Sequence, residues 1–282
     1  MSTRLLALVA GLTLVLAGLV APSTAHAASW NSNYVALGDS YASGTGLADA
    51  AGACLTSSGA FPHQLNKKVD SLACSGASSA DLAGQIAAAK QLSPAKSLNG
   101  QRVLFRAQQV SLTLGANDLG WTQALLGCLA NPLACETLLG GVVANLNGQE
   151  VRTANSIAAV RQEAPKAKIF VTGYPRPFDP AGPACVVGNL GGTDIVLPAA
   201  QAALMDSIIA SLNARIAQGV ALSGDRNVVF VDVAAEFSGH GLCRGADAWV
   251  NGIVPSGALT RTLHLNSAGE QAYARVLRAA LK

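Results

Sequence analysis

Only 12% of this 282-residue chain is charged, 19 lysines and arginines against 16 aspartates and glutamates. That near balance argues against electrostatic binding to nucleic acid or to an anionic membrane surface. With aliphatic residues plentiful, the composition also excludes a disordered chain. Beyond the first residues, no segment is long and apolar enough to predict a membrane span. No CxxC pair or Cys/His cluster offers a metal site. H-E-x-x-H and G-x-x-x-x-G-K-[ST] are absent, so zinc-peptidase and phosphate-loop chemistry have no carrier. The G-x-S-x-G elbow is missing too, "GASSA" at Gly76–Ala80 being a loose echo of it. No cofactor is expected.

What is present begins with a compartment. Arg4 gives a positive start, Leu5 to Val20 is almost wholly apolar, and Ala25-His26-Ala27 supplies a small-x-small cleavage pattern. The run is short for a span of roughly 20 residues. Residues 1–27 are therefore read as a secretory signal removed after Ala27 or Ala28, which leaves no stable membrane anchor. Residues 31–282 suffice for one α/β domain with a large core. Cys54, Cys74, Cys128, Cys135, Cys185 and Cys243 all lie beyond the signal. An even number in an exported chain reads as a disulfide set, with metal binding and free thiols as rivals.

Strand-like runs bounded by turn residues occur at Tyr34–Leu37, Val110–Leu114, Ile169–Thr172 and Val228–Val233, with a weaker one around Val69–Cys74. Helical patterns at Asp81–Ala89, Val151–Glu163 and Ala199–Gly219 lie between them. Such alternation predicts a three-layer α/β/α sandwich with a central parallel sheet of about five strands. Functional groups then belong beyond the carboxyl ends of the strands.

Polar residues that a core cannot explain sit at those ends. The first strand runs into "GDSYASG", the weaker one into "ACSGAS" and the third into "GAND", while "LHLNSAGEQAYARVL" puts His264 just before a last helix. Each alone has a bland reading. Ser40 could cap a helix, and Asn117 or Asp118 could close a turn. In this order the four segments resemble the blocks of the SGNH hydrolases, the GDSL esterase/lipase family, from Tyr34 to about Leu281. The resemblance implies a flavodoxin-like fold and likeness to secreted bacterial lipases with three disulfides. On that likeness Cys54 pairs with Cys74, Cys128 with Cys135 and Cys185 with Cys243.

The chemistry follows residue by residue. A serine hydroxyl attacks a carbonyl only when a base takes its proton, and histidine titrates near neutrality. Ser40 is thus the expected nucleophile and His264 the expected base. The resemblance assigns the oxyanion to the main-chain N–H groups of Ser40 and Gly76 and the Asn117 amide. Gly76 also lets the backbone approach a reacting oxygen closely. Asp39 and Asp118 are read as structural, and His240, in "FSGHGLC", as a rival base.

One departure from the family pattern matters. The block D-x-x-H carries Arg261 where the orienting aspartate belongs. A main-chain carbonyl of Arg261 or Thr262 is expected to hold the imidazole instead, with Asp232, Glu236 or Asp247 as the alternative. The expectation is a secreted, monomeric serine esterase or lipase acting on a small-molecule ester or lipid. The alternatives are a carbohydrate O-acetyl esterase and a non-catalytic secreted binding protein. "WTQALLGCLANPLAC", from Trp121, is read as aliphatic loops that form either an acyl-binding wall or core.

Overall fold

A computed structural model describes residues 33–92, 104–253 and 259–281. The signal segment read from the sequence at residues 1–27 lies outside the described residues.

Five strands form one parallel sheet in the order β2-β1-β3-β4-β7. They are β1 (Tyr34–Gly38), β2 (Asp70–Ser71), β3 (Gln109–Thr113), β4 (Lys168–Thr172) and β7 (Val228–Val231). Every residue of β1 and β3 is buried. A parallel sheet is covered on both faces, so its strands read as unbroken apolar runs. Val35 pairs with Val110, Val110 with Ile169 and Ile169 with Val228 across four of these strands. The polar side chains admitted to the sheet satisfy one another. Tyr34 Oη lies 2.7 Å from Ser111 Oγ, and Thr113 Oγ1 2.7 Å from Thr172 Oγ1.

Helices complete the α/β/α layers. In chain order they are α1 (Ser40–Ser43), α2 (Phe61–Leu65), α3 (Leu82–Gln91), α4 (Trp121–Ala130), α5 (Cys135–Asn145), α6 (Gln149–Glu163), α7 (Ala199–Ser223) and α8 (Ser267–Ala279). α6 packs against α3 and α7, and α8 against α2. A stack of Phe61 on Tyr273, with ring centres 4.5 Å apart, fixes the latter contact.

Two regions differ from the sequence expectation. The stretch after Trp121 is helical, not loop: α4 runs ten residues on alanine and leucine, and Asn131 and Pro132 end it. A two-stranded antiparallel hairpin, β5 (Ala184–Leu190) and β6 (Thr193–Pro198), also follows the proline-rich loop after β4. Gly191 and Gly192, both at positive φ, make its turn.

Disulfides join Cys54 to Cys74, Cys128 to Cys135 and Cys185 to Cys243. The second ties α4 to α5, and the third ties the hairpin to the 3-10 segment Leu242–Asp247.

Candidate active site

The strand order reverses at β1, which has β2 on one side and β3 on the other. In an open α/β sheet a crevice forms beyond the strand ends at such a point. Ser40 follows β1 there, and Asn117 follows β3.

Gly38 makes the approach possible. Its φ is +143°, and a Cβ at this position would stand 2.5 Å from the Thr113 carbonyl oxygen. Glycine lets β1 run this close to β3 up to the last residue before the turn. The Gln85 carboxamide grips the same residue from α3. It accepts the Gly38 N–H at 2.9 Å and donates to the Gly38 carbonyl at 2.7 Å. Asp39 then caps α1, its Oδ1 accepting the Tyr41 N–H at 3.0 Å.

Asp39 is buried, and desolvation pushes its carboxyl up to about 7 against the pull of its hydrogen bonds. Tyr174 Oη donates to Asp39 Oδ2 at 2.6 Å and accepts the Ala116 N–H at 3.3 Å. One hydroxyl therefore links the Ser40 turn to the Asn117 turn. Nothing in the sequence signals this role, since Tyr174 lies in a segment readable only as strand and loop.

The Asn117 turn is joined in the same way to the segment after β2. Asn117 Nδ2 donates to the Ala77 carbonyl at 2.9 Å, which commits one of its two N–H bonds. Asp118 Oδ1 accepts both the N–H and the hydroxyl of Ser79, at 3.0 and 2.7 Å.

Ser40, Asn117 and His264 line one small cleft, together with Trp121, Leu125 and Leu263. Gly76 does not line it and borders the adjoining groove. His264 owes its place to a strap drawn from far along the chain. Leu263 has φ +59°, a left-handed conformation uncommon for a leucine. Its N–H donates to the Asn251 carbonyl at 2.9 Å, and its own carbonyl accepts Tyr41 Oη at 2.9 Å. Asn251 Nδ2 and Arg261 Nε both donate to the Gly46 carbonyl, at 2.8 and 3.0 Å. A Cβ on Gly46 would stand 2.0 Å from the Leu265 carbonyl oxygen and 2.9 Å from His264 Cβ. Only glycine admits the strap at this distance.

Burial holds the His264 imidazole down at about 4, opposed by the main-chain carbonyls of Thr262 and Thr260. The Nδ1 atom is buried and makes no hydrogen bond of full geometry. Of the two carbonyls expected to face it, that of Arg261 is engaged by the His264 N–H at 3.1 Å. The nearby main-chain polarity comes from Thr262 and Thr260. None of the carboxylates named as alternatives lines the cleft. Asp232 Oδ1 accepts the Ala234 N–H, and Glu236 pairs with Arg275 at 2.9 Å. His240 is stacked on Trp249, ring centres 3.5 Å apart, and its Nδ1 meets the Asp247 carbonyl oxygen at 2.8 Å. It does not line the cleft.

A hydroxyl, a neutral imidazole and an amide donor on one cleft can carry out acyl transfer. No group of His, Cys, Asp or Glu able to hold a metal occurs among the described residues.

Residues 36–272 match the GDSL-like lipase/acylhydrolase family. A lipase of Streptomyces rimosus is 31% identical over 231 residues, 78% of this chain and 76% of that protein. The crystal structure of an extracellular lipase from the same species superimposes with TM-score 0.73 at 27% identity, covering 88% of this chain and 98% of that one. Phospholipase A1 from Streptomyces albidoflavus gives 0.71 at 30% identity, covering 87% and 98%. The chain belongs to the GDSL-like lipase/acylhydrolase family.

Proposed function

We propose that this protein is a secreted serine esterase or lipase that cleaves carboxylic esters of lipids or simple alcohols through an acyl-enzyme. The observation that carries this reading is the convergence of Ser40, Asn117 and His264 on one cleft from three separate parts of the chain. His264 takes the Ser40 proton as the Ser40 oxygen bonds to the ester carbonyl carbon. The negative charge that forms is met by the Ser40 and Gly76 N–H groups and the free N–H of the Asn117 amide. His264 then gives its proton to the departing alcohol, and water releases the acid by the same steps in reverse order.

The phospholipase A1 likeness favours a lipid ester among the possible substrates. Export is supported by three disulfides and by the extracellular Streptomyces rimosus relative. A carbohydrate O-acetyl esterase remains the second reading on sequence grounds alone, and no feature of the cleft favours it. The test is labelling with an alkyl fluorophosphonate followed by peptide mapping. One adduct, on Ser40, is expected, and an adduct on another serine would refute the assignment.

The base invites a separate test. His264 must be neutral to accept a proton, and burial holds its imidazole down at about 4. As pH falls, kcat/KM should therefore hold until about pH 4 rather than decline near 6.5, the ordinary imidazole value. With no carboxylate orienting the ring, Asp232→Asn, Glu236→Gln and Asp247→Asn should each stay within about tenfold of wild type. Loss of an orienting aspartate in a triad costs about 10⁴. A drop of that size in a folded variant would reveal a hidden carboxylate partner, and an acid limb near 6.5 would contradict a His264 imidazole held down by burial.

A further inference from the structure

β1 and β3 stay paired only as far as their carboxyl ends. Gly38 and Thr113 form the last register pair, and the Asp39 N–H donates to the Thr113 carbonyl at 2.9 Å. Past that bond one strand enters α1 with Ser40, and the other enters the turn with Asn117. Among the described residues, no main-chain hydrogen bond joins these two turns. What joins them is the Tyr174 hydroxyl, between Asp39 Oδ2 at 2.6 Å and the Ala116 N–H at 3.3 Å. Asp39 and Ala116 are the residues immediately before Ser40 and Asn117, and both line the cleft. Tyr174 is buried and does not line it.

The main chain that carries this phenol is itself held by buried polar side chains. Asn213, on α7, accepts the Tyr174 N–H at 2.8 Å and donates to the Tyr174 carbonyl at 2.7 Å. Tyr273 Oη donates to the Gly173 carbonyl at 2.7 Å. A Cβ on Gly173 would stand 2.9 Å from Asn213 Oδ1, so glycine lets the clamp close this tightly. A tyrosine that only fills a core needs one partner for its hydroxyl. This one has two, each adjacent in sequence to a proposed oxyanion donor.

We infer that Tyr174 is a positioning residue of the reaction, fixing the spacing between the Ser40 N–H and the Asn117 amide. The inference rests on the proposed oxyanion roles of those two groups. The Ser40 N–H belongs to the peptide that Asp39 begins, and the Asn117 side chain stands on the residue after Ala116. Holding Asp39 and Ala116 on one oxygen therefore holds the two donors at a set separation. Donors placed in advance stabilise the oxyanion without reorganising as it forms. The ester before attack bears no such charge, so the effect falls on turnover rather than on substrate binding.

Tyr174→Phe removes the oxygen and keeps the ring, including its edge-on contact with Tyr41 at 5.3 Å between centres. A donor lost outright costs about 10²–10³ in turnover, and a misplacement of about 1 Å up to about 10². On a soluble nitrophenyl ester, kcat and kcat/KM of the folded variant should fall equally, by about 10–100-fold, with KM within about twofold. The inhibition constant of a trifluoromethyl ketone, which forms an oxyanion adduct with the serine, should rise by the same factor. Two comparisons separate positioning from stability alone. Tyr34→Phe removes another buried tyrosine hydroxyl, bonded to Ser111 from the start of β1, and should leave kcat within about twofold. Asn117→Ala should itself cost about 100-fold or more, and adding Tyr174→Phe to it should cost less than about threefold, because the spaced pair is gone.

A Tyr174→Phe kcat within about threefold of wild type, an equal loss in Tyr34→Phe, or full additivity with Asn117→Ala would overturn the inference. If Tyr174→Phe does not fold, Asp39→Asn replaces it in every comparison. Asparagine still caps α1 through its oxygen but turns an N–H toward the Tyr174 hydroxyl. Full turnover in Asn117→Ala would instead remove the oxyanion reading on which the inference stands.

Discussion

Replacement of Ser40 by alanine is expected to lower turnover on a soluble nitrophenyl ester by about a millionfold, the size seen when a serine hydrolase loses its nucleophile. The fold should be indifferent to the change. The cap of α1 is Asp39, not Ser40, and alanine is a better helix former than serine. Gly38 and the Gln85 clamp, which set the turn, are untouched. His264→Ala should cost nearly as much, because nucleophile and base act as a unit and their losses do not add. A folded Ser40→Ala protein that keeps more than about a hundredth of wild-type turnover would show that another residue attacks the ester. Ester turnover that is negligible in wild type as well would point to the binding-protein alternative.

The second large effect concerns stability. The three disulfides close loops with sequence separations of 20, 7 and 58 residues, and no loop overlaps another. In the chain-entropy account these contribute about 3.3, 2.5 and 4.2 kcal/mol, roughly 10 kcal/mol together. A whole domain is stable by about 5–15 kcal/mol. Reduction should therefore lower the melting temperature by tens of degrees or leave no folded baseline at all. The Cys185–Cys243 pair should matter most and the Cys128–Cys135 pair least. A shift of only a few degrees, with all six thiols titrated as free, would contradict this account.

How far the sequence could be read depended on the distance over which each feature is decided. The strands were legible because burial on both faces writes itself as a local apolar run. The turns carrying Ser40, Gly76 and Asn117 were legible because polar and glycine residues interrupt those runs at strand ends. The hairpin was not, since β5 and β6 mix exposed Val186 and Val196 with glycine and polar residues. Part of its hold comes from distant bonds, the disulfide to Cys243 and the Ile253 N–H donating to the Val187 carbonyl. α4 reads as loop because glycine, cysteine and proline punctuate its far end. The supports of the site were hidden for the same reason as the hairpin. Nothing near Tyr41, Gly46 or Tyr174 in the sequence announces the partner each one meets.

Those separations bear on when the protein becomes competent. The bonds from Tyr41 to Leu263, Arg261 to Gly46 and Asn251 to Gly46 span 222, 215 and 205 residues. β1 and β3, by contrast, pair across a much shorter stretch of chain. Contacts that close the longest loops carry the largest ordering cost, and they become favourable only once the intervening structure has drawn their ends together. A nascent chain can therefore own a complete sheet, and even the Ser40 turn, while His264 is still unplaced. Under the proposed function such an intermediate is a scaffold without a catalyst. Catalytic competence is then acquired with the last long-range closure, so the chain gains its ester-cleaving power only as it completes its fold.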